Sequence, residues 1–196
     1  MSEELVFKIN IVGTPSTVIT NFIHKINNWK LPNTLPSTGV DVTVNPIDIN
    51  AQSVKFLVFQ PGGEKIHKEL RSKHYDPSFA CICAFDKSNW ESFETVKQFY
   101  QEFVSIYGKN ALCLLLGIIN KRERVKKEEG EKLAEKLRIQ YHELANNETE
   151  KYYQMLTNIA LHYLGVMIEE KKDTITRLDP KSIRMIFIDI RSYTTS

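Results

Sequence analysis

The chain has no long hydrophobic run, no excess of charge of one sign and very little cysteine. Its longest apolar stretch, Ala111 to Ile119, is far short of the ~20 residues that a membrane-spanning helix requires. No N-terminal signal peptide is visible. Against 26 lysines and arginines stand 24 aspartates and glutamates, a net charge of +2. That balance, without an arginine cluster, speaks against a nucleic-acid partner. The three cysteines, Cys81, Cys83 and Cys113, sit inside the apolar runs FACICAF and ALCLLLGII. An odd number of thiols in core strands fits a reduced intracellular protein better than a disulfide framework. The Cys-x-Cys pair is read as two core thiols that point to opposite faces of their strand, not as metal ligands. The sequence ends SYTTS, with no terminal cysteine to carry a prenyl group. The expectation is a cytoplasmic protein without a direct lipid anchor.

What is present suits a globular core: 42% hydrophobic and 26% charged residues in a chain of 196, enough for one domain with an appendage. Phe7–Val12 reads as an apolar strand, and Val18–Asn28 as a helix. Asn28–Gly39 (NWKLPNTLPSTG) reads as a long loop. Val40–Ile49 and Val54–Phe59 form an expected hairpin, with Val40, Val42 and Val44 alternating against Asp41, Thr43 and Asn45. A short charged helix, flanked by His67 and His74, follows; both histidines read as surface residues. Ala80–Phe85 is a buried strand leading into a helix over Trp90–Tyr107, whose Phe93, Val96, Phe99, Tyr100, Phe103 and Ile106 recur at helical spacing. Ala111–Ile119 and Ile139–Leu144 are further strands, and Tyr152–Tyr163 a further helix. The Lys126–Lys136 charges read as a solvated helix face with i,i+4 pairs such as Glu128–Lys132. Strands alternating with helices, the late ones uniformly apolar, predict an α/β fold with a mainly parallel sheet covered on both faces. Ligands of such sheets sit at the carboxyl ends of the strands.

The first such end carries the main functional signal. FKINIVGTPSTVITNF, Phe7 to Phe22, is a strand, a glycine, a short polar loop and a helix start. That is the layout of a phosphate-binding loop. The pattern G-x-x-x-x-G-K-[ST] is met by Gly13 and Thr20, but Val18 and Ile19 occupy the second glycine and the lysine. A β-branched residue resists the backbone angles that glycine adopts. Pro15 also removes an N–H from a loop whose use is to offer them.

Other stretches resemble the Rab branch of the Ras-like small GTPases, whose fold is the P-loop NTPase-like α/β fold. STGVDVTVNPIDI is similar to the end of switch I and its following strand, and FQPGGEK to switch II. YDPSFACICAFDKSNWESFETVKQFYQEF follows the family over nearly its whole length, and VKKEEGEKLAEKL is also characteristic. The resemblance covers about Phe7–Leu164. It implies a Rab-like domain over residues 1–164 and a C-terminal extension over 165–196.

Carried over position by position, the resemblance implies a degraded nucleotide site. Gly13 and Thr20 are kept, the latter with the hydroxyl that would hold magnesium or simply as a helix-start residue. Ile19 stands for the lysine that neutralises the β- and γ-phosphates. Ser37, or Thr38 with a one-residue slip, stands for the magnesium-binding threonine of switch I. In switch II, Gln60 replaces the aspartate that organises magnesium, Gly63 is kept, and Glu64 replaces the glutamine that positions water. The guanine-reading segment falls either on Ile118 and Ile119 or on Asn120, Lys121 and Glu123. Ala145, Asn146 and Asn147 replace its final loop. Asp86 reads as capping a turn rather than as a catalytic acid. The implied site is therefore vestigial: Gly13, Thr20, Ser37, Gly63, Asn120 and Lys121 for nucleotide, Thr20 and Ser37 for magnesium, with GTP or GDP bound weakly or not at all.

Protein partners are implied at the switch and interswitch surface, where the family's hydrophobic triad corresponds to Val42, Phe59 and His74. The tail contributes SIRMIFIDIRSY, a strand-like apolar segment that reads as a docking element. The favoured expectation is a pseudo-GTPase acting as a protein-interaction module. Its rivals are a divergent GTPase that still switches on GTP and GDP, and a membrane-cycling regulator of vesicle traffic.

Overall fold

The structure is a computed structural model that describes residues 5–14, 17–26, 40–49, 52–61, 68–75, 78–108, 111–120, 122–145 and 147–170. Ser37, Gly63, Glu64, His67, Lys121 and the segment 171–196 lie outside these. The elements are β1 (Leu5–Val12), α1 (Thr17–Ile26), β2 (Val40–Ile49), β3 (Gln52–Pro61), α2 (Lys68–Tyr75), β4 (Ala80–Asp86), α3 (Trp90–Tyr107), β5 (Cys113–Ile119), α4 (Lys127–Leu137), β6 (Gln140–Ala145) and α5 (Thr149–Glu170).

The strands form one six-stranded sheet in the order β2-β3-β1-β4-β5-β6. All neighbours are parallel except β2 and β3, the expected hairpin, which pair antiparallel from Val40 opposite Pro61 to Ile49 opposite Gln52. Parallel neighbours demand crossovers, and the intervening helices cover both faces. On one face Phe7, Ile9 and Ile11 of β1, Val54, Phe56 and Val58 of β3, and the even-numbered positions of β4 and β5 meet α1 and α5. On the other, Val12 and the odd positions of β4 and β5 meet Tyr75, Val96, Phe99 and Phe103 from α2 and α3 and Ala134 from α4. The mainly parallel α/β architecture is as the sequence predicts.

Three details differ. Cys81 and Cys83 do not diverge. Residues two apart on a strand share a face, so both sulfurs enter the α3-side core 4.0 Å apart, and Cys113 lies opposite Cys81 on β5. Burial pushes the Cys81 and Cys113 thiols up, and among the described residues no group of three His, Cys, Asp or Glu is placed to hold a metal. Second, β6 is not uniformly apolar. It is an edge strand of sequence QYHELA, and only Leu144 is fully buried. Third, the last helix is longer than its apolar stripe suggested. It runs from Thr149 to Glu170, beyond the expected Tyr152–Tyr163 at both ends. On α4 the i,i+4 ion pair formed is Lys127–Glu131, at 3.5 Å.

Local signals explain the best-defined boundaries. Asn89 caps α3, its side-chain oxygen accepting from the N–H groups of Glu91 and Ser92. Asp86 caps the preceding turn, accepting from the Ser88 N–H and hydroxyl at 2.8 and 2.7 Å. α4 begins where the Glu129 carboxylate accepts from the Lys126 N–H.

α2 is held to α3 by a buried ion pair. Arg71 donates from Nε and Nη2 to the two Glu102 oxygens at 3.0 and 2.9 Å, with side chains 4% and 12% exposed. The guanidinium also lies over the Phe99 ring. Tyr75, fully buried, stacks edge-on against Phe103. Tyr107 Oη donates to the Tyr75 carbonyl and accepts from the Ser78 N–H. Removing one member of such a pair strands the other charge. Arg71→Ala is expected to cost about 3–5 kcal/mol in urea unfolding, whereas Arg71→Met with Glu102→Leu costs much less than the sum of the single changes.

Candidate functional site

Around β1 the chain order of neighbours reverses, with β3 on one side and β4 on the other. The carboxyl ends there form the crevice in which open α/β sheets place ligands. The loop after β1 enters this crevice at Gly13. A Cβ on Gly13 would sit 2.2 Å from the Ala84 carbonyl oxygen and 3.1 Å from Ile19 Cδ1. The glycine is therefore required by the close approach of the loop to β4, with or without a ligand. Thr14 Oγ1 lies 2.5 Å from Thr95 Oγ1, tying the loop to α3.

The residues that follow are set by packing. Ile19, 3% exposed, belongs to the core cluster with Ile9, Ile11, Phe22 and Ile23, and Val18 packs half-buried against it. The position to which the resemblance carries the phosphate-binding lysine therefore holds a buried apolar side chain. Its burial contributes about 1.5–3 kcal/mol. Thr20 is half-buried in the first turns of α1. Gln60, near the end of β3 opposite Asp41, holds its side-chain oxygen buried with no hydrogen-bond partner.

Farther along the same rim, β4, β5 and β6 end in a charged cluster that the sequence did not reveal. Lys87, 1% exposed, places Nζ 2.5 Å from Glu143 Oε1 and 2.7 Å from Glu123 Oε2. Tyr141 Oη donates to the same Glu143 oxygen at 2.6 Å. Burial alone pulls the Lys87 ammonium down, but its hydrogen bonds to Glu123 and Glu143 and their charges outweigh it and leave it raised. Asn120 is half-buried at the end of β5. The Ala145 N–H donates to Glu148 Oε2 at 2.8 Å. Glu148 is held below the usual carboxylate value by Lys151 first and by that N–H second.

Of the expected partner surface, Val42 and Phe59 are direct cross-strand partners in the hairpin. Phe59 is half-buried with the Lys8 ammonium 4.5 Å from its ring centroid. His74 lies in α2.

The model of the Ras family matches residues 8–164, a span that carries most of this six-stranded sheet and the glycine turn after β1. The chain belongs to the Ras family. Its similarity is to Rab proteins, and it is a divergent Rab-like member. It is 22% identical to the Ras-related protein RABC2b of Arabidopsis thaliana over 89% of this chain and 88% of that one. It is 24% identical to the Ras-related protein Rab-3A of Homo sapiens over 90% and 80%, and 19% identical to the Ras-related protein Rab-10 of Caenorhabditis elegans over 91% and 92%.

Members of the Ras family bind GTP or GDP with magnesium, and the described residues of this Ras-family chain meet that demand poorly. They supply the turn at Gly13 and the hydroxyl of Thr20. Where the resemblance places the lysine, Ile19 is packed in the core, and where it places the magnesium organiser, Gln60 carries a neutral amide. Glu123 is paired with Lys87. Among the described residues, no helix is long and apolar enough to cross a membrane.

The packing role of Gly13 and Ile19 has a direct consequence. Gly13→Ala is expected to destabilise the fold by about 1–3 kcal/mol through overpacking. Ile19→Ala is expected to cost about 2–5 kcal/mol through the cavity it leaves. Both are read by denaturant unfolding in nucleotide-free buffer.

Proposed function

We propose that this Ras-family chain is a pseudo-GTPase, a Rab-like fold used as a protein-interaction module with guanine-nucleotide binding weak or absent and little hydrolysis. The observation that carries this reading is Ile19: the residue at the phosphate-neutralising position is part of the hydrophobic core. A hydrogen bond to a charged group contributes about 1.5–3 kcal/mol net. Loss of the lysine, the magnesium organiser and the base-reading carboxylate removes on the order of 4–9 kcal/mol, roughly 10³–10⁶-fold in affinity. Phosphoryl transfer depends on positioning and charge neutralisation, so hydrolysis suffers further.

Val42, Phe59 and His74, on the hairpin and α2, together with the C-terminal segment, are proposed to receive protein partners in the cytoplasm. The ion pair that fixes α2 to α3 supports a surface that stays in one conformation. Vestigial contacts to nucleotide and magnesium are assigned to Gly13, Thr20, Ser37, Gly63, Asn120 and Lys121.

One observation favours the rival reading of a switch that still binds GTP or GDP. The orphaned Gln60 oxygen is an unsatisfied acceptor at the position where the family organises magnesium, and a hydrated cation would satisfy it.

Nucleotide content decides between the two. Protein purified without added nucleotide, then denatured, is expected to release no guanine nucleotide on anion-exchange chromatography. One equivalent per chain would refute the pseudo-GTPase. Millimolar GTP with magnesium is expected to raise the melting temperature little or not at all, because a tight ligand of the native state must raise it strongly by mass action.

A further inference from the structure

The Lys87 cluster is the most deeply buried charge arrangement among the described residues that no part of the proposed function uses. Its lysine is fixed by backbone as well as side chain. The Lys87 N–H donates to the Ile118 carbonyl, and the Lys87 carbonyl accepts from the N–H groups of both Arg124 and Val125. The loop between β5 and α4 is thereby pinned to the end of β4. Room for the lysine stem and for Tyr141 comes from glycines. A Cβ on Gly117 would lie 3.3 Å from Lys87 Cδ and 2.7 Å from Tyr141 Oη, and one on Gly130 only 2.2 Å from Tyr141 Cζ.

Within this frame the ammonium spans two carboxylates. Glu143 is 17% exposed and also receives the Tyr141 hydroxyl, so it is satisfied internally. Glu123 is 43% exposed and sits on the loop where one register of the sequence places the guanine-reading carboxylate. A carboxylate reads guanine by accepting its N–H donors. Lys87 supplies N–H donors of its own to that acceptor, carries a full positive charge, and is bonded into the fold, so it competes at an effectively permanent local concentration.

We infer that Lys87 is an internal occupant of the base-reading end, a positioning residue that latches Glu123 toward Glu143 and removes guanine selectivity from the site. The phosphate end and the base end are then separate losses. A nucleotide held by its phosphates would still be bound without regard to its base. The inference rests on reading this rim as a former base site, but not on nucleotide binding being absent.

The test uses the full chain and two measurements. Amine acylation by an N-hydroxysuccinimide ester, followed by peptide mass spectrometry, compares Lys87 with Lys127, which is 62% exposed. Lys87 is expected to react at least tenfold more slowly, and Glu123→Gln, a change at a half-exposed position, to speed it at least tenfold. Equal rates for the two lysines in the unmodified chain, or no acceleration in the variant, overturn the latch. In parallel, the melting temperature is read with millimolar GTP and with millimolar ATP, each with magnesium. Equal responses, including none to either, support the inference, whereas a larger shift with GTP overturns it. The outcomes separate the two proposals. Equal positive shifts, together with one equivalent of co-purified nucleotide, refute the pseudo-GTPase and leave the latch standing. No shift together with rapid Lys87 acylation does the reverse.

Discussion

The fold depends on β1 being paired on both sides by parallel strands. With β3 and β4 as neighbours, β1 has no free edge, and its side chains must be apolar on the α1/α5 face, as Phe7, Ile9 and Ile11 are. Parallel pairing also forbids tight turns between neighbours, so apart from the β2–β3 hairpin each connection crosses the sheet and returns every strand but β2 with its carboxyl end on the same rim. The carboxyl ends of β1, β3, β4, β5 and β6 are brought to one rim by this constraint alone. The rim exists whether or not a ligand occupies it.

On the proposed reading, two different interactions along that rim fill the positions that a nucleotide would otherwise use. At the β1 end the substitute is apolar: Ile19 turns into the core and Val18 packs beside it. At the β5–β6 end it is ionic: a buried ammonium neutralises two carboxylates. The difference follows from the surroundings. The first turns of α1 lie against the face built from Ile9, Ile11 and Phe22, where a lysine would have to leave the core to find water or an anion. The ends of β5 and β6 already present Glu123 and Glu143, which close to each other need a cation between them.

Much of this was legible in the sequence, because period and punctuation carry it. The alternation in VDVTVN and the gap before the next apolar run give the hairpin, and the near-continuous apolar runs give β4 and β5. Asn89 followed by Glu91 and Ser92 marks the start of α3. The disposition of Cys81 and Cys83 follows from strict alternation, which places residues two apart on one face, and the contrary expectation misapplied that rule. β6 escaped the apolar pattern because an edge strand buries less. The Lys87 cluster was not legible. Its members come from the ends of three elements, separated by 56 positions between Lys87 and Glu143, and nothing local marks a lysine after a buried strand as one that turns inward. The signal available was the single charge that directly follows ACICAFD, where a solvated residue was the ordinary expectation.

The attachment of α2 to α3 bears on how fast and how tightly anything can bind there. A helix that is free to reorder presents its binding form only part of the time, and the measured affinity falls by that fraction. Arg71 with Glu102, and Tyr107 with the Tyr75 carbonyl, place the ordering of α2 in the folding step. A protein that docks on this helix meets a rigid template, so association is limited by encounter and orientation rather than by a preceding rearrangement.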